Sequence, residues 1–321
     1  MAQQRLTHTL SISGTRLLLD GSPFYFQGLS FFNALYNPTL NRSQDDRLIW
    51  LTKFKANGIN ALRVWCEWNF VLPPRPYIDM SEDTVMYTTQ GDVREEYFAR
   101  LAALIEAADS LEMVIQVVLF SQERQPYFLP PQAQDRAARQ MAELLKPYGN
   151  IILQIWNECS LRVRRYYEIC KAADPDRIVT NSPGLFNEKG VRFDRLGEDA
   201  DNRVLDLLTP HTLRADAEIF WYTAPAQVAY LLDTYKKPVI DDEPARDGPV
   251  QFGGTPGGTR PVWHIEQIRR VRALGAYHTF HHDMFQYGYS SPLTPPSGIP
   301  DPDFSPVHRQ VFDFLRANTT W

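Results

Sequence analysis

Two glutamates close apolar, β-rich runs: Glu158 ends IILQIWNE (151–158), and Glu243 sits near the end of PVIDDEP (238–244). Two carboxyl groups facing one cleft can divide two roles. In displacement at the anomeric carbon of a sugar with retained configuration, one carboxyl protonates the leaving oxygen and the other attacks, at a separation of about 5 Å. The proton donor is kept protonated by burial or a neighbouring negative charge, whereas the attacking group must stay ionised, which a cation favours. Arg63, inside INALRVWCEW (59–68), is the candidate cation. Taken singly, either carboxylate reads equally well as an ion pair at a strand end.

Other groups invite other chemistry. His278, His281, His282 and Asp283 offer imidazole and carboxylate ligands for a metal. Strand alternation turns His281 and His282 to opposite faces, so hydrogen bonding of sugar hydroxyls is the favoured reading for this pair. Cys159 follows Glu158 with no histidine partner identifiable by spacing, and reads as a buried, inert thiol. Trp156 is expected in the core. Trp68 and Trp221, placed in loops beyond strand ends, are candidates for stacking on a flat sugar face.

The elements that must position these groups alternate. Residues 10–24 read as a hairpin with a tight turn at Asp20-Gly21, leading into a first long strand. Ser43 caps a first helix, with Asp46 three residues on and Asn57-Gly58 as its stop. Helices are expected over 94–112, 131–150, 224–237 and 262–275, with a final one at 305–318, and strands over 113–120, 151–158, 177–183, 204–211, 238–244 and 276–283. The segment 184–203 has poor helical periodicity. Eight strands at these intervals predict a (β/α)8 barrel filling residues 1–321 as a single catalytic domain; a doubly wound open sheet is the alternative, without the glycine-rich loop it would carry. Glu158 and Glu243 are 85 residues apart, close to three βα units at about 31 residues each, so both fall at one mouth.

Composition narrows the partners. A chain of 321 residues with 44% apolar and 12% aromatic content buries a large core. Its net charge of −5 without a basic block argues against nucleic acid or an anionic membrane as partner, and no apolar run reaches the length of a membrane span. Three cysteines, Cys66, Cys159 and Cys170, have no metal-type spacing. The start MAQQRLTHTL lacks the features of a signal peptide, but a chain whose signal had been removed would read the same, so cytoplasmic and exported readings both stay open.

Ile155-Trp156-Asn157-Glu158 and Lys237-Pro238-Val239-Ile240-Asp241-Asp242-Glu243 resemble the acid/base and nucleophile motifs of the clan A glycoside hydrolases, most closely the cellulase-like family 5. Asn60-Ala61-Leu62-Arg63-Val64 is similar to the strand-2 motif of that clan, and Leu18 to Phe24 with Gln27 to Ser30 resembles its lead-in hairpin and first strand. The resemblance, over residues 10 to about 285, implies Glu158 as acid/base, Glu243 as nucleophile, Asn157 as donor to the sugar 2-hydroxyl, Arg63 as ion partner and His211 as a cleft residue. It implies an oligo- or polysaccharide substrate and neither metal nor organic cofactor. There are departures. Leu213 stands where relatives carry a tyrosine, so Tyr222 is the substitute donor; Phe120-Ser121-Gln122 lacks a common histidine; and His281-His282-Asp283 replaces a tryptophan. A carbohydrate-binding barrel without turnover is the runner-up reading, and a metallohydrolase on the last-strand histidines the third. The loops 69–93 and 247–261 would shape the cleft, the first by walling off one end.

Overall fold

A computed structural model describes residues 6–67, 85–121, 129–187, 189–192, 195–212, 220–244, 261–282, 297–304 and 306–320. Strands β1 (Leu10–Ser13), β2 (Arg16–Leu19) and β3 (Ser22–Pro23) form a small antiparallel sheet. Then β4 (Gln27–Phe31), α1 (Gln44–Ala56), β5 (Ala61–Trp65), α2 (Glu95–Asp109), β6 (Val114–Phe120), α3 (Pro131–Leu145), β7 (Ile151–Trp156), α4 (Val163–Ala173) and β8 (Val179–Thr180) alternate. The chain continues through α5 (Asp199–Val204), α6 (Phe220–Tyr235), β9 (Ile240–Asp241), α7 (Pro261–Ala273), β10 (Tyr277–Phe280) and α8 (Pro306–Arg316). No described helix is long and apolar enough to cross a membrane.

Seven parallel strands pair in the order β8-β7-β6-β5-β4-β10-β9. The remaining barrel position, the sixth in chain order, lies between β8 and β9 and is taken by 206–208. Asp206 N–H donates to Val179 O at 3.0 Å, Leu208 N–H to Pro238 O at 3.0 Å, and Ile240 N–H to Leu208 O at 2.9 Å. The barrel is therefore closed, with the (β/α)8 topology expected. The strand predicted over 204–211 is corrected: Val204 ends α5, and side chains replace part of the ladder. Asp206 Oδ2 accepts from Val179 N–H (2.9 Å), Thr180 Oγ1 donates to Leu207 O (2.9 Å), and Pro210 has no N–H to give. The strands expected over 177–183 and 238–244 shrink likewise to β8 and β9.

Local chemistry explains the elements that match. Ser43 caps α1 by accepting from Asp46 N–H at 3.1 Å, and Gly58, at φ +85°, ends it. A Cβ at Gly58 would stand 2.5 Å from the Leu315 backbone of α8, so the close approach of that helix demands glycine there. Asp20 (φ +48°) and Gly21 (φ +80°) form the left-handed pair of a tight turn joining β2 to β3. All seven residues of β6 are buried, as a parallel strand covered on both faces requires.

Each of the eight barrel positions gives one residue to a compact cluster: Phe26, Ala61, Val114, Ile152, Ile178, Leu207, Ile240 and Tyr277. Leu10 and Leu17 of the N-terminal sheet join it, and Leu17 N–H donates to Tyr277 Oη at 2.8 Å. The small sheet thus plugs the barrel floor, with about 1.5–3 kcal/mol for each large apolar side chain buried. Two residues further along, the lining turns polar: Arg63, Gln116, Gln154, Thr180, Thr209, Asp242 and Thr279 are all buried. The apolar floor closes one end, and the polar layer faces the end where strands finish.

Three buried histidines load the fold against acid. His278 is 1% exposed with no hydrogen-bond partner among the described residues on either ring nitrogen, and burial lowers it to about 3; burial lowers His264 to about 4 and His308 to about 3. Their neutral rings contribute stability that is complete above the unfolded value of 6.5 and is lost as pH falls toward the folded values, at about 1.4 kcal/mol per pH unit for each. His308→Leu is therefore expected to flatten the pH dependence of urea unfolding between pH 7.5 and 5. Parallel curves for wild type and variant would contradict it.

Candidate active site

Arg63 leaves the middle of β5 and points along the lumen with no solvent exposure. Its Nη1 donates to Glu243 Oε1 (2.8 Å), Nη2 to Asn157 Oδ1 (2.7 Å), and Nε to Gln154 Oε1 (3.0 Å), with Asp242 Oδ2 3.2 Å from Nε. The guanidinium carbon lies 4.5 Å from the Trp65 ring centre, and Trp65 stacks on Phe32 at 4.1 Å. Gln116 donates to Gln154 Oε1 (2.6 Å) and Ser182 Oγ to Asp242 Oδ2 (2.7 Å). Burial pushes the Asp242 carboxyl above the usual carboxylate range, with Arg63 and His211 pulling it back.

Glu158 and Glu243 each lie two residues beyond the ends of β7 and β9. His211, at the end of the sixth barrel position, stands between them: its Nδ1 is 3.2 Å from Glu158 Oε1 and 3.5 Å from Glu243 Oε2, and its Nε2 is 3.4 Å from Asp242 Oδ1. One oxygen of each glutamate and a ring nitrogen of His211 lie within 4.8 Å of one another. Glu158 itself has φ +56°, a left-handed conformation costing about 1–2 kcal/mol for a residue with a Cβ. The structure holds it there from several sides. Asn181 Nδ2 donates to Cys159 O (3.0 Å), and Gly184 packs so closely that a Cβ on it would lie 2.7 Å from Glu158 O.

The sequence-predicted residues divide. Glu158, Glu243, Arg63, Asn157 and His211 come together as one network. Because arginine only donates, Asn157 must turn its oxygen to Arg63, which leaves its amide NH2 for a partner outside this pair. His281 also joins: Nδ1 is 2.9 Å from Ser30 Oγ, and Nε2 is 3.8 Å from Glu243 Oε2. His282 is a correction to the cleft reading. It is fully buried among helix side chains, 5.8 Å ring to ring from His264 of α7 and 4.5 Å from His308 of α8. Trp221 and Tyr222 lie in the first turn of α6 rather than in a loop, and their side chains are outside the described set. Trp68 and Leu213 lie outside the described residues. Trp156 is core, as expected.

Sequence reasoning missed Arg195, whose Nη1 donates to Glu158 Oε1 at 2.6 Å. It sits in the aperiodic segment before α5, where no pattern flags it. Gln154 and Asp242 lie in the two apolar runs that lead to Glu158 and Glu243, and period-two alternation from the floor residues Ile152 and Ile240 points both into the lumen. Among the described residues, Glu158, His211 and Glu243 are the group that could ligate a metal. Guanidiniums already sit on both carboxylates, which disfavours a divalent cation there.

No family model matches the chain, and no curated protein matches it in sequence. Solved structures do match its fold. A family 5 glycoside hydrolase from Bacteroides vulgatus superposes with a TM-score of 0.63 at 19% identity, over 88% of this chain, which spans only 63% of the length of that one. A family 5 mannosidase from Rhizomucor miehei aligns over 97% of both chains with a TM-score of 0.64 at 15% identity. A β-1,4-D-mannanase from Cryptopygus antarcticus aligns over 98% of this chain and 95% of its own, with a TM-score of 0.61 at 13% identity. Each shares the barrel.

A third carboxyl, Glu67, lies just past the end of β5. It is 9% exposed and accepts from Ser121 N–H at 3.2 Å, and burial pushes it up to about 8. A raised carboxyl contributes stability that is complete below its ordinary value of 4.5 and is lost as pH rises through about 8. Glu67→Gln is expected to gain on wild type in unfolding free energy between pH 5 and 8.5, by about 1.4 kcal/mol per pH unit. A difference that stays constant with pH would contradict it.

Proposed function

We propose that the chain is a retaining β-glycoside hydrolase, acting on oligo- or polysaccharides through a single barrel that spans residues 1–321. One observation carries the reading: oxygens of Glu158 and Glu243 within 4.8 Å of one another at the barrel mouth. That approach of the two carboxyls suits direct attack by one carboxylate better than the separation of about 6.5–9.5 Å with which an inverting pair makes room for a water. The surroundings assign the roles. Glu243 is 2% exposed and receives a buried guanidinium at 2.8 Å, which keeps it ionised for attack. Glu158 is the more open of the two, where it can reach a leaving oxygen and later a water.

In the first step a Glu243 oxygen bonds to the anomeric carbon, the glycosidic C–O bond breaks, and Glu158 gives its proton to the departing oxygen. In the second, Glu158 takes a proton from water, the hydroxide oxygen bonds to the anomeric carbon, and Glu243 leaves as carboxylate. Asn157, with its NH2 directed away from Arg63, suits the sugar 2-hydroxyl, and His281 suits a hydroxyl beside the nucleophile. The fold neighbours named mannosidase and mannanase make aryl β-mannosides the first substrates to try.

Glu243→Ala is expected to lose at least about a thousandfold in kcat/KM on every substrate. Glu158→Gln should lose about 10²–10⁴-fold on glycosides with poor leaving groups while its first step on activated aryl glycosides survives. Wild-type turnover by either variant on a natural glycan would overturn the roles. Activity lost to a chelator and restored by a divalent metal would instead favour a cation on Glu158, His211 and Glu243.

A further inference from the structure

Glu158 must alternate between donating and accepting a proton if the proposed function holds, and the role inferred for its neighbour rests on that reading. Its described charged surroundings come from three directions. Arg195, from the segment before α5, reaches Oε1 at 2.6 Å; His211, from the sixth barrel position, reaches the same oxygen at 3.2 Å; and Glu243, after β9, lies across the site. Arg63 and Asp242 stand one contact further away, on Glu243 and His211. Arg195 differs from the other cation in one respect. Arg63 is fully buried, whereas the Arg195 side chain is 35% exposed, at the open edge of the site.

We propose that Arg195 is the positioning residue that decides when Glu158 carries its proton. A guanidinium at this distance favours the carboxylate, so while it is in place fewer chains hold the proton that the first step needs, and the proton Glu158 takes from water in the second step is bound less tightly. Its backbone is anchored beside the site, because Arg195 O accepts from His211 N–H at 3.0 Å, so the cation is tied to the histidine that shares its oxygen. The partly exposed side chain can swing outward without disturbing the buried network, and a substrate group arriving beside Glu158 would displace it. Proton donation is then favoured when the cleft is filled and suppressed when it is empty.

The protonation of Glu158 can be read directly. The intact chain carrying ¹³C-labelled glutamate carboxyls is titrated by NMR, and the Glu158 resonance is identified by its loss in Glu158→Gln. Arg195→Gln should raise the Glu158 midpoint by about one pH unit, a tenfold change in proton affinity, below the range for a buried pair because the cation is part-solvated. Arg195→Lys should restore most of the wild-type value, which loss of packing alone would not do. In the wild type, 1 M salt should move the midpoint the same way, since the screening length falls to about 3 Å. A midpoint unmoved by both Arg195→Gln and salt overturns the assignment. On glycosides with poor leaving groups, the alkaline limb of kcat/KM should rise with the midpoint, while the limb on activated aryl glycosides stays. A midpoint that moves as expected in a chain that cleaves no glycoside supports the Arg195 assignment and counts against the hydrolase reading alone.

Discussion

One guanidinium without access to water organises this barrel. Arginine does not give up its proton in a protein, so Arg63 enters the lumen as a full positive charge, and a buried charge is stable only when paired and hydrogen-bonded. The lumen answers with oxygens from Gln154, Asn157, Asp242 and Glu243. These come from β7, the turn after it and the turn after β9, so meeting the arginine fixes where those strand ends sit. The apolar floor below, plugged by Leu10 and Leu17, keeps water from entering at the other end.

Above that arginine the constraints become chemical. Glu243 is held by a neighbour that cannot move, and His211 spans the gap to Glu158. Glu158 is held by different means. Its left-handed backbone is disfavoured in isolation and persists because Asn181 and Gly184 over-determine the turn. The two carboxyls thus share one mouth but not one environment: one is locked to a buried cation, and the other leans on a cation at the solvent edge.

Much of this was legible in the sequence because parallel strands, covered on both faces, write themselves as apolar runs such as Val114 to Phe120. The interval between Glu158 and Glu243 carried their shared mouth, and the resemblance of Asn60 to Val64 to the strand-2 motif implied Arg63 as the ion partner of Glu243. What escaped had physical reasons. The sixth barrel position is held in part by side-chain hydrogen bonds of Asp206 and Thr180, which leave no periodic signature. His282 alternates away from His281, and only the packing of α7 and α8 decides that it ends in the core. Arg195 reaches Glu158 from a segment without periodicity, across 37 residues, and local pattern carries no trace of that contact.

The central claim is that Glu243 forms a covalent bond with the anomeric carbon. Incubation with 2-deoxy-2-fluoro glycosyl fluorides, which slow release of such an intermediate, followed by intact-mass measurement and peptide mapping, tests it most directly. The expected result is one fluorosugar per chain, on the peptide containing Glu243, with loss of activity in step with labelling. Labelling of Glu158 instead, or turnover of the same sugar with inverted configuration at the anomeric carbon, would contradict it.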